Sequence, residues 1–477
     1  MDIQYQQRAS SNIFKYWAII FCLISIATFA QNDDKIIVEN ITISGNNRTK
    51  ERIIRRELAI QIGDTILKSE LNNKLEIDRR KVSNTNLFLT VEFKTTIDST
   101  KKQIQNIDIQ IVVKERWYLL AYPTLGLADR NFNEWWYDRG RDFGRLIYGV
   151  DATHYNLTGN NDRLRIRANF GFIPRTDIYY STPYIDKAQK IGMTVGFSRI
   201  VNRTLAYRTN NDKLQFFNSE IRTRERLVPF LSVSRRQKFY GYHALDLRYS
   251  FMNVADTIVR LNDNYLSKNQ LNQNYGQLTY TYLYDNRDNV QYALKGKVWA
   301  VQLSRSGLWG SDNVNLWETN LDWLQFIPIS KKLFFSYIIE IKATLPTDQP
   351  FTQTRGLGYG SDLVRGYELY VIDGQHYGYL KTNLRYKLFD KIFHLKFLKI
   401  SQFNTIPIAI YPTIYADIGY VVNNYANLND SKLANRSLVG VGLGLDVVTW
   451  YNVVARLNYS GNQMGEWRPY FSIGREF

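Results

Sequence analysis

From residue 118 onward the chain alternates apolar and polar side chains with a period of two, and this repeat narrows the possible folds more than any other feature. In Tyr379 to Leu388, the residues Leu380, Thr382, Leu384, Tyr386 and Leu388 alternate with Lys381, Asn383, Arg385 and Lys387. The same pattern sets Leu164 and Ile166 against Arg163, Arg165 and Arg167, and Leu245, Leu247, Tyr249 and Phe251 against Asp246, Arg248 and Ser250. Successive side chains of a strand point to opposite faces, so each segment meets two different solvents. A soluble sandwich also alternates, but over this length it would break into smaller domains. A single long strand array favours a barrel with an apolar outside and a polar lumen.

The beginning of the chain points the same way. Lys15 precedes an apolar run from Tyr16 to Ala30 that closes with Ala27, Thr28 and Ala30 before polar Gln31-Asn32-Asp33-Asp34. That is the pattern of a cleavable secretory signal, expected over residues 1–30. The run is short for a spanning helix, which needs about 20 apolar residues. Cys22, the one cysteine of the chain, lies within it behind bulky Phe21, so neither a lipoprotein signal nor disulfide or Cys-metal chemistry is expected. No later run is apolar and long enough to span as a helix. A membrane-embedded mature chain must then be a closed barrel, the other structure that satisfies every backbone group in lipid.

Composition agrees once the alternation is allowed for. Aromatic residues make up 14%, tyrosine alone numbers 34 and proline only 10, which suits many strands. A mean hydropathy of −0.34 does not exclude a barrel, whose strands show lipid only every second side chain. The net charge of +17 is dispersed, with no basic run, and so reads as loops and lumen walls near anionic lipid rather than a nucleic-acid stripe. At about 20 to 24 residues per strand and connection, residues 121–477 hold roughly 16 strands, with about 14 or about 18 also open. Thr158-Gly159-Asn160-Asn161-Asp162 and Asn423 to Asp430 read as turns, and Trp135-Trp136-Tyr137 as an interfacial aromatic belt or as loop packing.

Residues 31–117 mix periods. A strand Ile36 to Ile43 and a Gly45-Asn46 turn lead to Thr49 as N-cap of a helix Arg52 to Leu58. Gly63-Asp64 then breaks the chain. Leu67, Leu71 and Leu75 mark a second helix, followed by strands Leu87 to Phe93 and Ile104 to Val113. The order β-α-α-β-β describes a small α+β domain, and the order alone names no function.

The most informative stretch is Gly358-Tyr359-Gly360-Ser361-Asp362-Leu363-Val364-Arg365-Gly366-Tyr367, a cation in a glycine-rich loop between strand-like segments. Here the chain resembles the Omp85 superfamily, whose barrels fold an extracellular loop into the lumen with a Val-Arg-Gly-Phe/Tyr motif at its tip. Val364, Arg365, Gly366 and Tyr367 match that motif. An arginine inside a barrel must be paired or solvated, and its planar fork can lock a loop to a carboxylate on the wall. Asp417, in Tyr415-Ala416-Asp417-Ile418-Gly419, is similar to the family's strand aspartate and is the partner the resemblance implies. Tyr284-Asp285-Asn286-Arg287-Asp288-Asn289 followed by Lys295-Gly296 looks like an early-barrel signature of the same family. The end of the chain, Arg468 to Phe477, with Phe471, Ile473 and Phe477, resembles the C-terminal strand signal of outer-membrane clients, although Arg475 departs from its hydrophobic pattern. The small domain, with Ile41-Thr42-Ile43-Ser44-Gly45-Asn46 and Asn84-Thr85-Asn86-Leu87-Phe88, resembles a single POTRA domain.

The resemblance implies a mainly β protein, a transmembrane antiparallel β-barrel over 118–477 preceded by a POTRA-like periplasmic domain over 31–117. It implies an outer-membrane factor that assists insertion or translocation of unfolded outer-membrane or secreted client proteins, with outer-membrane lipid and accessory lipoproteins as further partners. It also implies a weak seam between the first strand, near Tyr118 to Leu127, and the last, Pro469 to Phe477. A passive pore or dedicated secretion channel is the alternative, and an outer-membrane hydrolase a third reading. No cofactor, metal or nucleic acid is expected. The four histidines, His154, His243, His376 and His394, show no zinc-helix spacing, and there is no Gly-x-Ser-x-Gly elbow. Gly440, Gly442 and Gly444 alternate in a strand-like run with no helix after it, which reads as a closely packed barrel wall rather than a nucleotide loop.

Overall fold

The computed structural model describes residues 35–98, 105–186, 188, 190–266, 269–394, 405–449 and 453–474, so the expected signal segment with Cys22 and the terminal Phe477 lie outside the described residues. Two units emerge, a small one ending at Lys114 and a large one that runs from Glu115 and also takes in Asn47–Ile53 and Asn84–Leu89.

The N-terminal elements are strands β1 (Lys35–Ser44), β2 (Thr65–Leu67), β3 (Phe88–Asp98) and β4 (Gln105–Glu115), with helices α1 (Glu51–Arg55) and α2 (Lys68–Asn84). The sheet order is β2-β1-β4-β3, with β1 antiparallel to β2 and parallel to β4. Alternate residues fill its buried face, among them Ile36, Val38, Ile107, Ile109 and Ile111. Helix α2 buries Leu71, Leu75, Asp78 and Val82, a stripe at helical spacing. Buried Asp78 is satisfied by the backbone N–H groups of Ala59 and Ile60 at 2.8 and 3.0 Å and by Lys81 at 3.2 Å. Two details depart from the sequence reading. Leu67 pairs with Lys35 in β2 instead of opening the second helix, and α1 begins at Glu51 and stops at Arg55, so Thr49 is not adjacent to its first residue.

The large unit is a closed antiparallel barrel. Its staves begin with β5 (Leu119–Leu127), β6 (Leu146–Tyr155), β7 (Arg163–Gly171), β8 (Arg175–Thr182) and β9 (Ile191–Asn202). A side hairpin of β10 (Leu205–Asn210) and β11 (Lys213–Phe217) precedes β12 (Arg224–Gln237), β13 (Gly241–Val254), β14 (Asn272–Asp285), β15 (Gly296–Ser306), β16 (Leu316–Pro328) and β17 (Leu333–Leu345). A long connection holding β18 (Arg355–Leu357) and β19 (Ile372–Asp373) leads to β20 (His376–Tyr386) and β21 (Phe389–His394). The ring ends with β22 (Thr405–Val422), β23 (Ser437–Thr449), β24 (Val453–Asn462) and β25 (Trp467–Ile473), and β25 lies beside β5 to close it. Because β20 and β21 both pair with β22, they form one interrupted stave, and the described ring has sixteen.

Side-chain alternation sets the two faces. On β12, Leu227, Leu231 and Val233 are exposed on the outside, while Arg226, Val228 and Phe230 point inward. On β23, Val439, Val441, Leu443 and Leu445 are exposed outside. Buried polar groups such as Thr279, Ser304, Ser336, Asn383 and Asp446 face the lumen, where Thr279 and Ser304, directly paired across β14 and β15, bond at 2.9 Å. This is the arrangement of a barrel in a bilayer, with bulk toward lipid and polarity inside. Among the described residues no helix is long and apolar enough to cross a membrane.

Candidate functional site

The connection between β17 and β20 carries the Val364-Arg365-Gly366-Tyr367 motif and packs against the barrel wall. Val364 and Tyr367 are buried and join Leu357, Ile372, Tyr379, Val421 and Leu438 in one apolar cluster, so the loop has a core of its own inside the ring. That core holds the tip still while its charged residue is placed.

Arg365 meets the wall through nearly every donor it has. Its Nη2 donates to Asp417 Oδ1 at 2.5 Å and to the Thr382 carbonyl at 3.0 Å, Nε to Asp417 Oδ2 at 2.7 Å, and Nη1 to Asn383 Oδ1 at 2.6 Å. The backbone N–H of Arg365 also reaches Asp417 Oδ2 at 3.1 Å, and the guanidinium lies 3.8 Å from the Tyr415 ring centre. The Asp417 side chain is fully shielded from solvent. Two paired N–H···O bonds fix orientation as well as position, which a lysine would not do. The strand period explains the partners: Asp417 and Tyr415 are two apart on β22, and Asn383 is on β20, the stave that pairs with it.

Backbone shape completes the fit. A Cβ placed on Gly440 would lie 1.8 Å from the Arg365 carbonyl oxygen, so β23 admits the loop only where it has no side chain. Gly366 sits at φ +94, a conformation that turns the chain just past the arginine at little cost to glycine alone. The Gly440, Gly442 and Gly444 run is thus a close-packed wall: beyond Gly440, Cβ atoms at Gly442 and Gly444 would meet the Tyr415 hydroxyl and Asn458 Oδ1.

A second clamp had no counterpart in the sequence reading. In the β5–β6 connection, Arg130 Nη1 donates to the carbonyls of Gly358 at 2.5 Å and Tyr370 at 2.9 Å, and Asn131 Nδ2 to that of Glu368 at 2.8 Å. Glu134 holds Arg130 at 2.8 Å and Arg139 at 2.6 Å. Burial works against ionisation of Glu134, but the two guanidinium groups outweigh it and keep the carboxyl below its ordinary range. Trp135, in the short helix Phe132–Tyr137, is buried and donates from Nε1 to the Asp142 carbonyl at 2.9 Å, which is loop packing rather than a lipid-facing belt.

The other singled-out residues lie apart from the loop tip. Asp285 ends β14, and Asn286 to Asn289 open the β14–β15 connection, where Arg287 grips Asp285 at 2.6 Å. Tyr292, in the same connection, donates to Asp446 at 2.9 Å. Phe471 and Ile473 are exposed on β25, paired with Leu457 and Ala455 of β24. His154, His243, His376 and His394 stand on four different strands, β6, β13, β20 and β21. Among the described residues no cluster of His, Cys, Asp or Glu could hold a metal ion.

The family model described as the Omp85 superfamily domain matches residues 156–477, and the POTRA model, described as the surface antigen variable number repeat, matches residues 36–116. The crystal structure of BamA from Haemophilus ducreyi lacking POTRA domains 1–3 superposes with a TM-score of 0.53 at 14% identity, covering 92% of this chain and 84% of that one. CdiB from Escherichia coli superposes with a TM-score of 0.49 at 11% identity, over 94% of this chain and 91% of that one. No curated protein matches the chain.

Proposed function

The chain belongs to the Omp85 superfamily, and on that premise we propose that it is an outer-membrane assembly or translocation factor whose N-terminal domain receives unfolded client proteins in the periplasm and whose barrel assists their insertion or passage. The observation that carries the reading is the loop tip locked inside a closed barrel by Arg365 and Asp417. A lumen braced from within keeps its shape while the wall is worked on at another point. In this reading that point is the junction of β5 and β25, the first and last staves, where a client strand is templated. The N-terminal sheet supplies the recognition surface: β3 is an end strand of its sheet, and its unshared main-chain edge fits an extended client of any sequence. No catalytic step or cofactor enters the reading. Val364, Gly366 and Tyr367 position the arginine, and Phe471 and Ile473 belong to the closing strand.

The test is folding of a model outer-membrane protein into liposomes with and without the purified chain. The expected outcome is faster client folding that is lost on deletion of residues 31–117. Steady ion conductance with no acceleration of folding would transfer the reading to a passive or dedicated channel.

A further inference from the structure

Across the ring from the loop tip, on β8, β9, β12, β13 and β14, the lumen wall is left open. A cavity of about 310 Å3 lies there, and its walls carry Arg175, Arg226 and Arg248 with the rings of Tyr179, Phe230 and Tyr275. The alternation that turns Leu227 and Leu231 outward turns Arg226 and Phe230 inward, and the β12–β13 register sets Arg248 directly beside Phe230.

The charges here do not balance. Among the described residues Arg226 bonds only to neutral groups, the Ser250 hydroxyl at 3.0 Å and the Tyr275 hydroxyl at 3.4 Å. Arg224, Arg355 and Arg248 stand close enough to repel it. Two of the cavity's three arginines have an acid beside them: Asp177 takes Arg175 at 2.7 Å and the Ser198 hydroxyl at 2.6 Å, and Asp246 stands 3.8 Å from Arg248, a loose pairing that leaves most of that guanidinium's donors for a ligand, so the uncompensated charge is that of Arg226. Cations crowded into a partly desolvated wall repel one another, and an anion seated among them offsets that cost. Guanidinium forks match the paired oxygens of a phosphate, and the flanking rings offer faces to the rest of a ligand. The closed wall separates the cavity from lipid, so the ligand arrives through water.

We propose that this lumen pocket binds the phosphate group of a small, soluble phosphorylated ligand, with Arg226 and Arg248 gripping the phosphate and Tyr179 and Phe230 flanking the remainder. The proposal does not depend on the client-assembly reading.

The experiment is calorimetric titration of the purified full-length chain in neutral detergent, at constant ionic strength, with inorganic phosphate, with glucose 6-phosphate and with micelles doped with phosphatidic acid. The expected result is saturable binding of glucose 6-phosphate, tighter than that of inorganic phosphate, weakened about tenfold or more by Arg226→Gln, as loss of a charge-assisted contact implies. Arg248→Gln is the second cavity variant should the first fail to fold. Arg199→Gln is the control, since Arg199 lies on the outer face of β9, half exposed and paired with Glu225; it leaves binding unchanged. The proposal is overturned by no binding of either soluble probe, by equal loss in the Arg199 variant, or by undiminished binding in both cavity variants. Binding to phosphatidic acid micelles alone would overturn the soluble ligand in favour of a lipid headgroup.

Discussion

Two arginines inside the same barrel have opposite surroundings. Arg365 is brought by a loop to the wall of β20 and β22 and meets Asp417, Asn383, a carbonyl and an aromatic face. Arg226 grows from the wall itself at β12 and meets two hydroxyls and other cations. The residue type is the same and so is the compartment; the difference is whether a carboxylate and a second packed layer have been supplied. Where both are present the arginine becomes a structural fastener. Where both are missing, its binding capacity is left for something else.

The contrast is broken most directly by Asp417→Ala. Removing one partner of a shielded pair strands the other charge, so this variant is expected to lose about 3–5 kcal/mol. Urea-dependent tryptophan fluorescence of the protein in micelles measures it, and limited proteolysis near residue 365 reports whether the loop tip leaves the wall. A loss under about 1 kcal/mol would mean that water takes over from Asp417 and that the two arginines are less different than their partners suggest.

A smaller effect tests the backbone half of the fastener. Gly440→Ala puts a methyl group where the Arg365 carbonyl now sits, a backbone atom that cannot rotate aside. Overpacking of this sort costs about 1–3 kcal/mol. Gly465, in the turn before β25, has no neighbour within 4 Å of an added Cβ but sits at φ +81, so Gly465→Ala reports backbone strain without collision. If both alanines unfold at the same denaturant concentration, the close approach at β23 contributes nothing beyond ordinary glycine replacement.

Much of this is legible in the sequence. Period-two alternation is a local signal and carries the barrel and its two faces, while the length of the array divided by the residues per strand and connection carries the approximate strand number. The loop motif and Asp417 are legible through the resemblance to the Omp85 superfamily, since a cation in a glycine-rich loop names no partner by itself. The Arg130 clamp was not, since its acceptors Gly358 and Tyr370 are backbone carbonyls more than two hundred residues away, and a carbonyl leaves no trace in the sequence. Leu67 misled for a related reason: its spacing to Leu71 and Leu75 is helical, yet pairing with Lys35 draws it into β2. The Arg226 cavity depends on the register of five strands at once, which no single segment of the sequence states.

The smallest effect sharpens the comparison most. Arg226→Gln removes a buried cation as Asp417→Ala removes a buried anion, but it strands no opposite charge. The bond to Ser250 at 3.0 Å is charge-assisted and worth about 1.5–3 kcal/mol, but glutamine retains a donor for it, and the contact to Tyr275 at 3.4 Å is long and weak. Relief of repulsion from Arg224 and Arg248 works in the other direction. The net change in stability is therefore expected to stay within about 1 kcal/mol of the parent protein in the same urea titration. A loss as large as that of Asp417→Ala would show that Arg226 is itself a fastener, with its fork committed to the fold, and the open wall would lose its claim to a ligand.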